Sequence, residues 1–420
     1  MRKYSILLLA AFLALIAVHA GAAELPAVTL SIADDTVNGG LPVSVVVAAD
    51  EPMAADTEIQ LSDSEGGVYT AVIKSGQTEV TIACDTPVVT RRTPMAFTAA
   101  GCNAAAEVML YPLPEIEFYE AIYIRFTDRD CAVAVTMDKN NLLQDGEFTL
   151  CDQYGETLAT LTIRQNTTRS LFNFKWTPDA SQVGRHDLTI RWNGFTVSAD
   201  MGYLAIADIK NLAVYSYPVT EKFIALSLDC AYQWAYIDDF LEMLDRQNVK
   251  VTFFMTGSGV KEHPEDVLKL QAHGHELANH SYSHYHMTEL EDLHVIRREI
   301  TKTNNAIEEL TGVHPTKFRP PFGEYNRYVA ALSIADGCDV IMWTNDAMDW
   351  VDGATVSSIY HHIIRNPAPG NIILAHILNK DTVEAMDMAI TYFKEQGYRL
   401  GTVSDLEAIY LQETGEDKNQ

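Results

Sequence analysis

Two histidines four residues apart, His280 and His284, are the side chains of this sequence that most clearly could act together in chemistry. Imidazoles at this spacing can point the same way and hold one divalent metal ion. Five further polar residues that could take part in the same chemistry come just after short apolar runs elsewhere in the chain: Asp229, Arg319, Asp346, Asp349 and His376. The pattern predicts a metalloenzyme whose polar groups come from several separate segments.

The elements that must position these residues show the alternation of an α/β fold after about residue 208. Ile237, Phe240 and Leu241 share one helical face, and a continuous apolar run at 251–254 follows, which is the order that βα units require. Predicted strands lie at 223–228, 251–254, 318–319, 338–344, 371–375 and roughly 399–403, and predicted helices run from a Thr288–Glu291 capping box to Gly312, over 356–364 and over 383–395. In a barrel of parallel strands the functional face is formed by the carboxyl ends of the strands. We therefore expect the polar residues to meet there.

The chain before this region has a different pattern. Short alternating runs such as 43–47, 79–82 and 187–192 are separated by turn signals, among them Asn193-Gly194. This pattern predicts two immunoglobulin-like β-sandwich domains, at 23–113 and 114–207. A single larger sandwich also fits. The sequence thus predicts a multidomain chain, with all-β sandwich domains followed by an α/β domain at 208–410 and a polar tail at 411–420.

The N-terminus and the overall charge favour a protein outside the cell. Residues 1–22 carry Arg2 and Lys3 and then an apolar stretch that ends in small residues, as in a secretory signal peptide. We expect a secreted or cell-wall-associated protein without a transmembrane span after cleavage; an uncleaved anchor is the alternative. The 30 Lys and Arg against 57 Asp and Glu give a net charge of -27, which excludes nucleic acid as a partner.

Six cysteines in a secreted chain allow disulfides. Local bridges are plausible for Cys84 with Cys102 and for Cys131 with Cys151. Cys230 is expected to be a free thiol, because its one candidate partner in the α/β domain, at 338, is predicted at the opposite rim of the sheet, roughly 20 Å away. A bridge needs Cα atoms within about 7 Å.

Residues 215–408 resemble the polysaccharide deacetylases of carbohydrate esterase family 4, the NodB-like group. The matching motifs occur in the family's order: Ser227-Leu228-Asp229-Cys230, His280-Ser281-Tyr282-Ser283-His284, Arg319-Pro320-Pro321-Phe322, Asp349-Trp350 and Leu374-Ala375-His376. The resemblance implies a distorted (β/α)7 barrel. It also implies hydrolysis of an N-acetyl group from a polymeric amino sugar, or of an O-acetyl group from a polysaccharide such as peptidoglycan or a chitin-like glycan.

The resemblance assigns catalytic roles to four of the matched residues. Asp229 would be the general base, and Arg319 beside it would keep the carboxylate ionised. His376 would protonate the leaving amine, and Asp349 would hold the tautomer of His376 and raise its pKa.

The other matched residues would hold the metal and the acetyl group. His280 and His284 would bind a divalent ion, zinc in the first place with cobalt or manganese as alternatives. The backbone N–H of Phe322 would help to hold the oxyanion, and the side chains of Trp350 and Leu374 would wall the acetyl pocket.

Cys230 departs from the family pattern, because most members have there a second Asp that completes the metal triad, followed by Gly-Pro where this chain has Ala231-Tyr232. Cys230 could bind zinc as a thiolate; the two histidines and water could hold the ion more weakly; or the metal could be lost. Because the other matched residues remain, the sequence favours metal binding, either with the thiolate or by the two histidines and water, over loss of the metal. It predicts a secreted, metal-dependent deacetylase, with a weakly active or inactive glycan-binding surface protein as the alternative.

Overall fold

The computed structural model describes residues 27–100, 103–127, 129–137, 142–165, 167, 169–208, 210 and 212–415. The predicted signal peptide at 1–22 and residues 416–420 of the predicted tail lie outside these residues. The chain forms two compact units. The first is built on the residues up to Pro114 with short segments within 138–145 and 164–166, and the second on the remaining residues from Glu115 onward.

The first unit consists of two sheets that bury one hydrophobic cluster between them. The cluster takes residues from both sheets, such as Val45 from one and Leu61 and Phe97 from the other. Along the third strand, buried residues alternate with more exposed ones, as a strand with one face toward a core requires. The strands are β1 Val28–Ile32, β2 Thr36–Asn38, β3 Val43–Ala49, β4 Thr57–Asp63, β5 Val68–Ile73, β6 Glu79–Cys84, β7 Thr93–Ala99 and β8 Ala105–Tyr111. Their orders are β1-β3-β6 and β2-β8-β7-β4-β5, and the immunoglobulin-like assignment stays a prediction.

The second unit begins with another strand-rich region. Its strands are β9 Ile116–Phe118, β10 Ile122–Phe126, β11 Cys131–Met137, β12 Gly146–Cys151, β13 Thr157–Ile163, β14 Leu171–Trp176, β15 Gly184–Trp192, β16 Phe195–Thr196 and β17 Gly202–Ala207. One sheet has the order β10-β17-β15-β12-β13 with β16 on β15, and the other has the order β14-β11-β9. Phe126 and Ala205 of the larger sheet share a hydrophobic cluster with Ile296 and Ala330 of the α/β region. These strands and the α/β region therefore belong to one packed unit, and the predicted boundary at 207 stays a prediction.

The α/β region is a parallel sheet with the strand order β22-β21-β20-β19-β18-β24-β23, and β25 also pairs with β18. Its strands are β18 Phe223–Cys230, β19 Thr252–Met255, β20 Glu276–Asn279, β21 Lys317–Phe318, β22 Asp339–Val340, β23 Asn345–Asp346, β24 Ile372–His376 and β25 Arg399–Gly401. Its helices are α1 Ile237–Gln247, α2 Gly257–Glu262, α3 Pro264–Ala272, α4 Leu293–Thr311, α5 Arg327–Ala335, α6 Val356–Ile363, α7 Lys380–Glu395 and α8 Val403–Thr414. The predicted α/β class is confirmed, and the distorted (β/α)7 barrel stays a prediction.

Two local predictions are wrong for identifiable reasons. The capping box at Thr288 does not form, because Asp292 caps α4 by accepting a hydrogen bond from the His294 N–H at 2.8 Å. The strand predicted at 338–344 is only Asp339–Val340. Beyond it, within the described chain, Ile341 forms only an isolated bridge with Val214. The carbonyl groups of Ile341 and Met342 accept hydrogen bonds from the side chain of Arg319 and, among the described residues, not from a neighbouring strand, so the strand is shorter than its sequence pattern.

The described cysteines are all free and buried. The expected bridge between Cys131 and Cys151 is therefore wrong: both are free thiols, Cys131 on β11 of the smaller sheet and Cys151 on β12 of the larger one. The expected free thiol at Cys230 is confirmed, and Cys102 lies outside the described residues. Within the described part of the chain, no helix combines the length and the apolar character that crossing a membrane takes.

Candidate active site

Of the polar residues singled out in the sequence, five line one cavity at the carboxyl ends of the parallel strands: Asp229, His280, His284, Asp346 and His376. Arg319 and Asp349 each bond one of these lining residues, Asp229 and His376 respectively. Asp229 lies near the end of β18, His376 ends β24, and the segment after β20 brings the histidine loop, residues 280–284, to the same rim. The cavity has a volume of about 500 Å³, and its lining includes Asp229, His280, His284, Phe322, Trp350, Leu374 and His376. Adjacent parallel strands end at the same edge of a sheet, which is why residues far apart in sequence meet here.

Asp229 and Arg319 form a buried ion pair at the floor of this cavity. Arg319 Nη1 donates to Asp229 Oδ1 at 2.7 Å, and both residues are buried, Arg319 completely. The guanidinium also lies 4.0 Å from the ring centre of Phe254. Burial opposes ionisation of Asp229, but the positive charge of Arg319, with a smaller contribution from His376, outweighs it, so the pKa of Asp229 is lowered. The structure thus keeps Asp229 as a carboxylate that can accept a proton.

His280 is a neutral imidazole whose tautomer is fixed by a backbone carbonyl. Its Nδ1 lies 2.7 Å from the carbonyl oxygen of Arg319, and a carbonyl can only accept, so Nδ1 carries the proton. Burial lowers the pKa of His280, although Asp229 opposes this shift. Its Nε2, 3.6 Å from Asp229 Oδ2, therefore has a lone pair available beside the carboxylate.

His284 lies next to His280 because the histidine loop has an unusual backbone. Ser281 and His284 have φ angles of 63° and 56°, a left-handed conformation that costs about 1–3 kcal/mol for a residue other than glycine. Glu299 on α4 compensates by accepting hydrogen bonds from the backbone N–H groups of Tyr282 and Ser283 at 3.1 and 2.7 Å. The two imidazole centres are 5.0 Å apart, and burial lowers the pKa of His284 to about 4.

Glu299 was missed in the sequence, although a signal was present. A glutamate at 299 lies between the apolar positions 296 and 300 of the predicted helix, on the side that faces the fold, and it is buried. An acidic residue on a buried helical face requires hydrogen-bond donors. The backbone of the histidine loop supplies them.

His376 is held by Asp349 on the other side of the cavity. Its Nδ1 and its backbone N–H lie 2.8 Å from the two carboxylate oxygens of Asp349. Thr382, which the sequence did not indicate, donates to the same carboxylate at 3.2 Å. Burial alone would lower the pKa of His376, but the hydrogen bond and charge of Asp349, together with the charge of Asp229, raise it. The imidazole is thereby suited to donate a proton.

The residues predicted to wall the acetyl pocket also line the cavity, at different depths. Leu374 is buried, whereas Phe322 and Trp350 are 52% and 56% exposed. Phe322 has a φ of 60° and its ring stacks on His286 at 3.9 Å between centres. Phe322 and Trp350 therefore form part of the rim of the cavity, and Leu374 forms part of its interior.

Cys230 is not brought to the histidines. Its side chain belongs to the hydrophobic cluster that also contains Leu228, Phe253 and Met255, because successive side chains of a strand point to opposite faces and Asp229 already faces the cavity. Burial raises the pKa of the Cys230 thiol well above its ordinary value. A thiolate ligand at this position is therefore at odds with the structure.

The donor set limits what metal site is available. Among the described residues, no group of three His, Cys, Asp or Glu side chains is arranged to hold a metal ion, whereas catalytic zinc sites have three protein ligands. The two imidazoles fit a divalent ion as two of its ligands. Such an ion would take its remaining ligands from water or substrate and would be bound more weakly.

Comparison with known proteins places this region among deacetylases. Residues 216–341 match the family model described as polysaccharide deacetylase. The chain is 32% identical to the peptidoglycan-N-acetylmuramic acid deacetylase PdaA of Bacillus subtilis (strain 168), over 46% of this chain and 74% of PdaA. It is 33% identical to the peptidoglycan-N-acetylglucosamine deacetylase PgdA of Listeria monocytogenes serotype 1/2a (strain 10403S), over 46% of this chain and 40% of PgdA.

A solved structure is also similar. It is that of wild-type BA3943, described as a family 4 carbohydrate esterase pseudoenzyme from Bacillus anthracis, with 31% identity over 50% of this chain and 73% of that chain and a TM-score of 0.45.

Proposed function

Because this chain belongs to the polysaccharide deacetylase family, we propose that its C-terminal half removes acetyl groups from the amino sugars of peptidoglycan or a related glycan. The observation that carries the proposal is a candidate base and a candidate acid that line one cavity and are register partners on adjacent strands, Asp229 on β18 and His376 on β24. Against the effect of burial, Arg319 lowers the pKa of Asp229 and Asp349 raises the pKa of His376. A base and an acid whose environments shift their pKa values in opposite directions are suited to hydrolysis. The predicted signal peptide supports a secreted or wall-associated location.

The first half of the proposed reaction uses Asp229. A divalent ion on His280 and His284, zinc or alternatively cobalt or manganese, would polarise the acetyl carbonyl and the attacking water. Asp229 accepts a proton from that water as its oxygen attacks the carbonyl carbon. The backbone N–H of Phe322, in its left-handed conformation, donates to the oxyanion. The interior face of Leu374 and the indole of Trp350 enclose the methyl group.

The second half uses His376. As the bond between the acetyl carbon and the sugar nitrogen breaks, His376 Nε2 donates its proton to the leaving nitrogen, and acetate and a free amine result. Asp349 occupies Nδ1, which leaves Nε2 as the nitrogen that faces the reaction. For an O-acetyl substrate the same proton would go to the leaving oxygen.

A second candidate function is binding of the glycan without turnover. The observation that favours it is the placement of Cys230 in the hydrophobic cluster, which leaves the metal with two histidines. This candidate predicts retention of peptidoglycan by the protein without acetate. It shares the cavity and its exposed aromatic rim with the first.

Acetate release from purified peptidoglycan tests the proposal. The full chain with added zinc, cobalt or manganese should release acetate, and a chelator should stop the release. His280→Ala should lower the rate at least about 100-fold, because metal polarisation contributes several kcal/mol to the transition state. The exposed His294, which lies on α4, gives the control: His294→Ala should keep the wild-type rate. Peptidoglycan retention with no acetate for any of the three metals would instead support the second candidate.

The pH dependence of the rate tests the assignment of acid and base. The ionised form of Asp229 and the protonated form of His376 are both required, so the rate should fall in acid through the lowered pKa of Asp229 and in base through the raised pKa of His376. Asp349→Asn removes the charge that raises the pKa of His376, so the alkaline limb should move to lower pH while the acid limb stays. In the control Asp352→Asn, an exposed residue of the same loop, both limbs should stay; an unmoved alkaline limb in Asp349→Asn would show that His376 is not the acid.

A further inference from the structure

Tyr232 is an exposed aromatic residue that contacts the histidine loop. It lies two residues beyond Cys230, lines the cavity and is 72% exposed. Its hydroxyl oxygen is 3.1 Å from His284 Nδ1, and the two rings meet edge to face with centres 5.1 Å apart. Most of the family has proline at this position, so the family resemblance assigns Tyr232 no role.

The ring of His284 is fixed in its plane by its neighbours but not in its tautomer. Tyr232, His280 and Phe322 all contact it at steep interplanar angles of 66° to 68°. Such contacts restrict the rotation of the imidazole without distinguishing its two nitrogens. The hydrogen bond between Tyr232 and Nδ1 does distinguish them. A hydrogen bond at one ring nitrogen determines whether the other nitrogen carries the proton.

His280 shows what this choice means for a metal ion. The carbonyl of Arg319 holds the proton of His280 on Nδ1 and leaves Nε2 with the lone pair. A phenol can either donate or accept. If Tyr232 donated to His284 Nδ1, the proton of His284 would lie on Nε2 and that nitrogen could not bind an ion. Because the Tyr232 side chain is largely exposed, its own proton can go to water while its oxygen accepts from the imidazole.

We infer that Tyr232 is a positioning residue for His284: its hydroxyl accepts the Nδ1–H and so keeps the Nε2 lone pair of His284 free, as the Arg319 carbonyl does for His280. This inference rests on the proposed function for the use of that lone pair, which is metal binding. Partners of this kind are worth about 10- to 100-fold in metal affinity. In a site with only two protein ligands, such a partner contributes a larger share of the total metal affinity than it does in a site with three.

The tautomer can be measured without metal. Two-bond proton–nitrogen NMR correlations of the imidazole rings distinguish Nδ1–H from Nε2–H. In the metal-free full chain, His280 and His284 should both carry the proton on Nδ1. In Tyr232→Phe, His284 should change to a mixture with Nε2–H while His280 stays unchanged. The control is Tyr285→Phe, an exposed tyrosine beside His284, which should leave both rings as in the wild type.

Calorimetric titration with zinc gives the second readout. Tyr232→Phe should bind zinc about 10- to 100-fold more weakly than the wild type, with an unchanged thermal unfolding midpoint, and Tyr285→Phe should bind as the wild type does. The inference is overturned if wild-type His284 carries its proton on Nε2, if Tyr232→Phe leaves the tautomer of His284 unchanged, or if Tyr232→Phe and the wild type bind zinc equally. If the wild type binds no zinc, the metal in the proposed function is wrong, and the tautomers still decide the role of Tyr232.

Discussion

Replacing Asp229 by asparagine is expected to slow acetate release by about 100- to 10,000-fold, the usual contribution of a general base. The amide keeps the size of the carboxylate and can still accept a hydrogen bond from Arg319, but it cannot take a proton from water. The effect should appear in the turnover rate more than in the apparent affinity for peptidoglycan, because Asp229 acts on the water and not on the sugar. Initial rates over a range of peptidoglycan concentrations separate the two quantities.

The same variant needs a control for folding, because Asp229 is half of a buried ion pair. Rates should be compared at a temperature at which circular dichroism shows Asp229→Asn fully folded. Asp352→Asn, which changes an exposed carboxylate, should keep the wild-type rate under identical conditions. If folded Asp229→Asn retained more than about a tenth of the wild-type rate, a general base at this position would be wrong.

Replacing Arg319 by methionine is expected to lower the free energy of unfolding by about 3–5 kcal/mol at neutral pH, because removal of one partner leaves a buried charge uncompensated. Arg319 Nη1 donates to Asp229 at 2.7 Å and the guanidinium has no exposed surface. Water cannot replace it. Urea unfolding of the wild type and the variant measures the difference.

The pH dependence of that difference has a definite sign. In the wild type the folded-state pKa of Asp229 is lowered, so this residue contributes stability above its unfolded pKa that is lost as the pH falls through the folded value. Without Arg319, burial is no longer offset and the folded pKa should rise above the unfolded one. The carboxyl group then becomes neutral in mild acid, and the stability deficit of Arg319→Met should shrink as the pH falls.

A double variant separates the charge from the lost packing. Arg319→Met combined with Asp229→Asn leaves no buried ion at this position, so it should be more stable than Arg319→Met alone at neutral pH. The stability of the double variant should also depend less on pH. A deficit of Arg319→Met that is equal at neutral and mildly acidic pH would show that packing, and not the charge of Asp229, explains the loss.

The α/β fold and most of the site could be predicted because both depend on a regular rule. Apolar runs alternate with helical patterns, and each polar residue follows its run. In a parallel sheet that order alone brings Asp229 and His376 to one rim, in the register Asp229 opposite His376. Arg319 could be placed by the same rule, and its contact with the carboxylate follows from burial, which requires a partner for each charge.

The remainder depends on details that spacing does not determine. Cys230 adjoins Asp229 in sequence, yet one residue along a strand is a change of face, and Cys230 lies in the hydrophobic cluster. The contact between Tyr232 and His284 joins residues 52 positions apart through a loop without a periodic pattern. The left-handed backbone of Ser281 is set by tertiary contacts that no local signal contains. The position of Glu299 on the apolar face of its helix indicates that it needs hydrogen-bond donors, but not that the backbone of the histidine loop supplies them.

The proposed function rests on the claim that the cavity with Asp229 and His376 hydrolyses an acetyl amide of a glycan. The most direct measurement counts both products, acetate and newly formed free amino groups on the sugar, after incubation of zinc-supplemented full-length protein with peptidoglycan. We expect acetate and free amino groups to appear in equal amounts and each protein molecule to turn over many times. Acetate without new amino groups would show that an O-acetyl ester is the substrate, and the absence of both products would contradict the claim.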